Sequence, residues 1–285
     1  MLKTNKNTSE DGHKKSQIEE MAFWDHAGVL RNVLIKISIV ISVCTVLLFY
    51  FMNDIFDNII LAPCHADFPL YRLFSHITSY SDLLPDFSNS GFEVNLININ
   101  LASQFFIHIS TSFWLSLILS TPVALYFLWG FVSPGLYPKE RNGAKNALLM
   151  GNVMFYTGVA IGYFLVFPLT LRFLSEYHVS ELVPNQISLD SYMDNFLGLI
   201  FIMGLIFELP LVCWVMGRIG ILSRDFFSKY RRHAIVLLLI AAAFITPTGD
   251  PFTLTIVFMP IYMLWEASSL LVKPGSKPAK EPVLD

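Results

Sequence analysis

The chain has 285 residues, 54% of them hydrophobic and 14% charged, with a formal net charge of −3. A water-soluble domain carries about 25% charged residues to cover its surface, so the composition excludes an ordinary soluble domain, and nothing in it resembles a basic nucleic-acid face. The three cysteines, Cys44, Cys64 and Cys213, lack metal-ligand spacing, and because only Cys64 falls outside the apolar runs, no internal disulfide is expected.

The first thirty residues are polar, with Lys3, Lys6, Lys14, Lys15 and several acids, and hold no apolar h-region. No cleavable signal peptide is therefore expected, and the first apolar stretch must act as both address and anchor. A membrane-crossing helix needs about 20 apolar residues. Six stretches are candidates: residues 33–52, 105–131, 147–171, 196–216, 234–245 and 252–272. The fifth is short, so it spans only with local thinning of the bilayer or help from flanking residues, and otherwise it is re-entrant. The fold class expected is an all-α polytopic membrane protein whose membrane domain covers residues 18–272, flanked by disordered tails, 1–17 and 273–285. The long loop from about Asn53 to Ser103, with Pro63, Pro69 and Pro85, reads as an ordered cap rather than a free linker.

The basic residues test this topology. With the N-terminus inside, seventeen Lys and Arg lie on the inner side and only Arg72 and Arg172 on the outer side, where acids gather instead. This bias predicts six crossings with both termini in the cytoplasm.

Prolines interrupt four apolar runs, at Pro122, Pro168, Pro210 and Pro260. Each removes a backbone donor and bends its helix, and together they predict a bent, concave bundle. Gly158 and Gly162 form a GxxxG on the third span, a spacing that permits close helix approach, within the chain or to another subunit. Glu208 lies in Gly204-Leu-Ile-Phe-Glu-Leu-Pro210, deep in the fourth span. An intramembrane carboxylate faces the protein interior, a water-filled hollow or a partner; alternatively it is a protonated structural acid bonded to a carbonyl that Pro210 frees. Glu266, nearer the inner end of the sixth span, can reach the interface. Glu140 sits among Lys139, Arg141 and Lys145 in the second inner loop. It is either a solvated loop charge or a carboxylate awaiting an external guanidinium, which meets it with a planar two-bond fork. Trp24, ahead of the first span, suits the membrane interface, and Asp25 and Val29, four apart, share a helix face.

These segments resemble a known family. Asp25-His26 to Leu30-Arg31 is similar to the N-terminal HLxELRxRL signature of TatC, and Phe131 to Arg141 to its F-x-x-P-x-L-Y-x-x-E-[RK] loop. Tyr163 to Pro168, Phe207 to Pro210, Thr246 to Asp250 and Pro260 to Glu266 resemble the remaining signatures, in order, so the likeness runs from Phe23 to Val272. The resemblance implies a receptor, not an enzyme, that needs no cofactor; with no transit peptide evident, a prokaryotic plasma membrane is the expected location. It implies binding of paired-arginine signal peptides of folded cargo, assembly with single-span TatA/TatB-type partners and with further copies of the chain, and use of the proton-motive force. By the same resemblance Glu140 is the main arginine-binding carboxylate, with Phe131, His26 and Arg31 in its neighbourhood. Glu208 belongs to the concave face, and Thr246 and Asp250 to the partner-binding end. Two departures stand out: Val29 replaces the signature glutamate, so Asp25, one turn earlier on the same face, is expected to take over; and Thr248-Gly249 look inserted before Asp250.

Two other functions compete. A proton-coupled small-solute transporter would use Glu208 as its coupling acid, but no internal repeat supports the inverted-repeat plan. A membrane enzyme would need a paired Ser/His, Asp/Asp or bis-histidine constellation, and His108 stands alone in the second span.

Overall fold

The computed structural model describes residues 7–78, 92–132, 138–177, 180, 182, 185–219, 221–246 and 250–272, with side chains described from Ala27 onward outside 75–91 and 132–145. Helices dominate. In chain order they are α1 (Asn7–Tyr50), α2 (Met52–Ile55), α3 (Pro69–Thr78), α4 (Ser103–Val132), α5 (Pro138–Ile161), α6 (Phe167–Glu176), α7 (Leu189–Ile206), α8 (Leu209–Ile219), α9 (Arg224–Ile245) and α10 (Pro251–Leu271). The one addition to an all-helical plan, among the described residues, is a two-residue parallel pairing of β1 (Leu96–Ile97) with β2 (Ile187–Ser188), plus a single bridge between His65 and Glu93.

Five segments are long and apolar enough to cross a membrane: Ala27–Tyr50, Ser103–Phe131, Asn146–Glu176, Leu189–Arg218 and Pro251–Leu271. They correspond to the first four and the last of the expected spans. The helix at the fifth position, α9, is 22 residues long, but its first half carries Arg224, Asp225, Lys229, Arg231 and Arg232. Only its second half is apolar, which is the short stretch the sequence marks. α1 begins at Asn7, inside the stretch 1–17 expected as a disordered tail. At 1.5 Å per residue its 44 residues measure about 66 Å, roughly twice the bilayer core. The tail 273–285 lies outside the described residues.

Prolines shape two spans as expected. Pro168 cannot donate to the carbonyl of Phe164, and the helix widens into a π segment, Gly162–Val166, before continuing as α6. Pro210 cannot donate to Ile206, where α7 stops. The chain makes one turn through Phe207 and Glu208, with Glu208 N–H donating to the Leu205 carbonyl at 3.1 Å, and resumes as α8. Pro122 and Pro260 instead sit inside continuous helices.

α1 packs antiparallel on α4. The Phe49 and His108 rings stack 4.0 Å apart, the Thr45 and Ser116 hydroxyls bond at 2.8 Å, and the Lys36 ammonium lies 5.8 Å from the Phe127 ring. Buried Ser112, Ser116 and Ser120 let the backbones approach. α5 packs antiparallel on α7 through glycines. A Cβ on Gly158 would meet the Met203 carbonyl oxygen at 2.5 Å, one on Gly162 the Ile200 Cα at 3.1 Å, and one on Gly204 the Phe155 ring at 2.9 Å. The GxxxG is thus spent on packing within the chain. The core forms around α7, where Tyr192, Phe196, Leu199 and Met203 meet Phe155, Val166 and Phe167. Edge-to-face contacts of Phe167 with Tyr192 (5.2 Å) and Phe196 (5.0 Å) each add about 1 kcal/mol.

Beyond the first span the described part of the loop expected as a cap holds a π segment (Phe56–Ile60), a 3-10 turn (Ala62–Cys64) and α3, while 79–91, with Pro85, lie outside the described residues. Tyrosine hydroxyls fasten it. Tyr163 donates to the Ile59 carbonyl (2.8 Å), Tyr192 to that of Ile60, and Tyr71 to those of Pro63 and Pro168 (3.1 Å each). Arg172, also in this region, is 4% exposed. Its guanidinium carbon lies 5.5 Å from the Tyr71 ring and 5.1 Å from the Phe92 ring, two rings that meet edge to face at 5.3 Å, and the group pairs with Glu176 at 3.0 Å.

Candidate functional site

The residues singled out by sequence fall at three levels of the bundle. The α1–α4 register sets the first. From Lys36 opposite Phe127, five residues back along α1 reach Arg31 and four forward along α4 reach Phe131, so these two stand at one level. Arg31 is exposed and Phe131 half-buried. Asp25 and His26 follow about two turns further out on the same helix. The chain then reverses between α4 and α5, which puts Glu140 in the first turn of α5 at the same end. The side chains of Asp25, His26 and Glu140 lie outside the described residues. The fold therefore gathers Asp25, His26, Arg31, Phe131 and Glu140 at one end, though they come from three helices and span more than a hundred positions of sequence.

Glu208 forms the second level. The α5–α7 contact sets its carboxyl beside Gly151, eleven residues along α5 from Glu140, or about 16 Å by helical rise. A Cβ on Gly151 would stand 3.1 Å from Glu208 Oε2 and 2.8 Å from Leu211 Cδ2. Gly151 is thus the seat of the carboxyl group, and sequence reading missed it; a glycine on the apolar face opposite an intramembrane acid was the available signal. Glu208 Oε1 is buried and has no hydrogen-bond partner among the described residues. The bond to a proline-freed carbonyl, one of the two readings of this acid, is not made by that oxygen. Beside the helix break an apolar cavity of about 130 Å3 is lined by Met150, Met154, Leu211 and Trp214.

Thr246 and Asp250 make the third level, at the other end. Phe252 stacks on Phe173 near the end of α6 at 4.1 Å, which fixes that level. Both residues have local structural partners. Buried Thr246 returns its hydroxyl to the Ala242 carbonyl (3.1 Å) where α9 ends. Asp250 caps α10, its Oδ1 accepting from the Thr253 N–H at 2.7 Å. The segment 247–249, with the inserted-looking Thr248-Gly249, lies outside the described residues. Glu266 is also accounted for: it accepts from Arg231 on α9 (2.6 Å) and from the Tyr262 hydroxyl (2.9 Å). The structure does not join the three levels into one pocket; it arrays them along the bundle.

Comparison with known proteins finds relatives over most of the chain. The family model described as "Sec-independent protein translocase protein (TatC)" matches residues 25–260. The TatC protein of a Blattabacterium from Periplaneta americana is 33% identical over 263 residues, covering 89% of this chain and 96% of its own length. That of Escherichia coli K12 is 33% identical over 245 residues, covering 85% and 84%. Two crystal structures of the twin-arginine translocase receptor TatC superimpose on this fold. One, in the detergent DDM, has a TM-score of 0.69 at 28% identity and covers 87% of this chain and 99% of its own. The other has a TM-score of 0.66 at 29% identity, covering 86% and 97%.

Proposed function

Because this chain belongs to the TatC family of Sec-independent protein translocase components, we propose that it is the membrane receptor that grips paired-arginine signal peptides of folded cargo. It is a multi-pass membrane protein. In this reading six crossings place both termini in the cytoplasm, and the end bearing Asp25, His26, Arg31, Phe131 and Glu140 is the inner rim. Glu140 accepts the guanidinium fork of one arginine. Asp25 takes over from the acid missing at Val29, and Phe131 packs against the stem of the peptide. Glu208, about 16 Å deeper, offers an unpartnered carboxyl oxygen to a polar group in the bundle or on a partner helix. Thr246 and Asp250 hold the α9–α10 turn as a docking end for TatA/TatB-type single-span partners. Further copies of the chain join the complex, and the proton-motive force drives passage of the cargo.

One observation carries the reading: the helix register of α1 on α4, followed by the immediate return into α5, brings two acids remote in sequence to the same end of the bundle. The test is site-specific crosslinking of a photoreactive signal peptide to membranes containing the full chain. Glu140→Lys is expected to abolish the crosslink, Asp25→Lys to weaken it severalfold, and Arg→Lys changes in the peptide to act in the same direction. An undiminished crosslink in Asp25→Lys refutes the substitution of Asp25 for the missing acid. Retention in Glu140→Lys refutes the site as a whole.

A further inference from the structure

We propose that a cavity at the end of the bundle opposite Glu140 binds the neutral polyol head group of a membrane lipid. The cavity measures about 440 Å3 and lies between α6, β2 and the start of α7. That volume falls in the range of small-ligand pockets, about 300–1,000 Å3. Its polar lining includes Thr170, Asn185, Ser191 and Asn195, and Phe167 and Leu171 contribute to an apolar floor. No Asp, Glu, Lys or Arg is among its described lining residues.

Two of these side chains have polar atoms with no hydrogen-bond partner among the described residues. Thr170 is 2% exposed, and its Oγ1 has no partner among the described residues. A helical threonine ordinarily returns its hydroxyl to the carbonyl four residues back, which here is Val166, the last residue of the π segment. Asn195 turns its amide nitrogen to the Ser191 carbonyl at 2.8 Å, which leaves its buried Oδ1 unpartnered. Folded proteins rarely leave such groups unsatisfied; both residues line the cavity, and a small side-chain rotation brings each oxygen, closed to solvent as it stands, to a ligand's hydroxyls. A hydroxyl-rich ligand answers both: one hydroxyl donates to Asn195 Oδ1, another exchanges a bond with Thr170. A charged head group would find no counter-charge in the lining and would lose its hydration.

Depth selects the source. Thr170 lies six residues before the end of the third span at Glu176, and Asn195 six residues after the start of the fourth at Leu189. Six residues correspond to about 9 Å of helix, the boundary between head groups and acyl chains at that face. A lipid can seat its polyol against the polar lining and its first methylenes over Phe167 and Leu171. This site is independent of the receptor reading, because it needs neither the orientation of the chain nor the Glu140 cluster.

The test uses the full-length protein in a zwitterionic detergent, offered equal amounts of a monoglucosyl diacylglycerol and phosphatidylglycerol, with retained lipid measured by native mass spectrometry. The glucosyl lipid is expected to be retained in preference. Thr170→Val and Asn195→Leu each lower its retention about fivefold, the loss of one bond of about 1 kcal/mol, while Thr170→Ser keeps it and phosphatidylglycerol is unaffected. Both losing variants remove a buried unsatisfied atom, so their lipid-free thermal midpoints should match or exceed that of the parent, which separates lost binding from lost folding. Equal retention of the two lipids, or unchanged retention in both variants, overturns the proposal. Complete displacement by an equimolar amount of free methyl glucoside overturns its assignment to a lipid.

Discussion

Arg172 shows how much one side chain can hold at the cap. Its guanidinium sits against both the Tyr71 and Phe92 rings and pairs with Glu176. Cation–π contacts contribute up to about 2 kcal/mol when desolvated, and a planar guanidinium stacks where an ammonium cannot. Arg172→Ala is therefore expected to lower stability by about 2–4 kcal/mol, and Arg172→Lys, although it keeps the charge, to recover only a minor part. Thermal unfolding in detergent monitored by tryptophan fluorescence checks both; a parent-like midpoint in Arg172→Lys would show that charge alone matters. Cys64 lies nearby, 2% exposed. Burial penalises its thiolate and pushes the thiol up to about 11 from an ordinary value near 9, with a hydrogen bond from Tyr192 opposing in part. The thiol thus holds its proton more tightly folded than unfolded. Its contribution, on the order of 2 kcal/mol, is complete below about pH 9 and disappears as pH rises toward 11. Maleimide labelling of Cys64 should accordingly be negligible in the folded protein at pH 8 and rapid after unfolding. Prompt labelling of the folded protein would contradict this.

Single helices record their sequence unevenly. Pro168 and Pro210 announce the π segment and the α7–α8 break, because a missing donor must be accommodated within the turn that precedes it. Pro122 and Pro260 carry the same local signal, yet α4 and α10 run through them; proline says where a bend is permitted, and the neighbours decide whether it is taken. The glycines needed partners to be understood. Gly158 and Gly162 were legible as a close-approach motif, but Gly151 gained its meaning only when α7 set Glu208 against it. The α5–α7 seam gives a direct test. Gly158→Val places its Cβ 2.5 Å from the Met203 carbonyl oxygen, a backbone atom that cannot swing aside. It should cost about 2–4 kcal/mol and lower the yield of monodisperse protein on gel filtration. Gly198→Ala, with no atom within 4 Å of the added Cβ, is the control and should behave as the parent.

For the whole molecule, the distribution of charge was more informative than the total. Five spans follow from apolar length. The proposed sixth crossing rests on the asymmetry of Lys and Arg, because α9 devotes its first half to a cationic stretch anchored by the Arg231–Glu266 pair. A reporter that fluoresces only in the cytoplasm, fused after Val272, should be bright, and a periplasm-dependent phosphatase at the same point inactive. The reverse result would reduce the crossings by one and move the basic tail across the membrane. That Asp25, Phe131 and Glu140 share one end was legible in the topology read from Lys and Arg; a shared role for them was legible only through family likeness, since periodicity within each helix cannot reveal how helices align with one another.

The tyrosine bonds to Ile59, Ile60 and Pro168 have a mechanical consequence. They act as rivets through a plate: three hydroxyls, carried by the third span, the fourth span and α3, must let go together before the cap can lift, and in an apolar surround no solvent stands ready to replace them. The riveted end is the stiff half of the machine, and whatever flexing accompanies transport is left to the opposite rim.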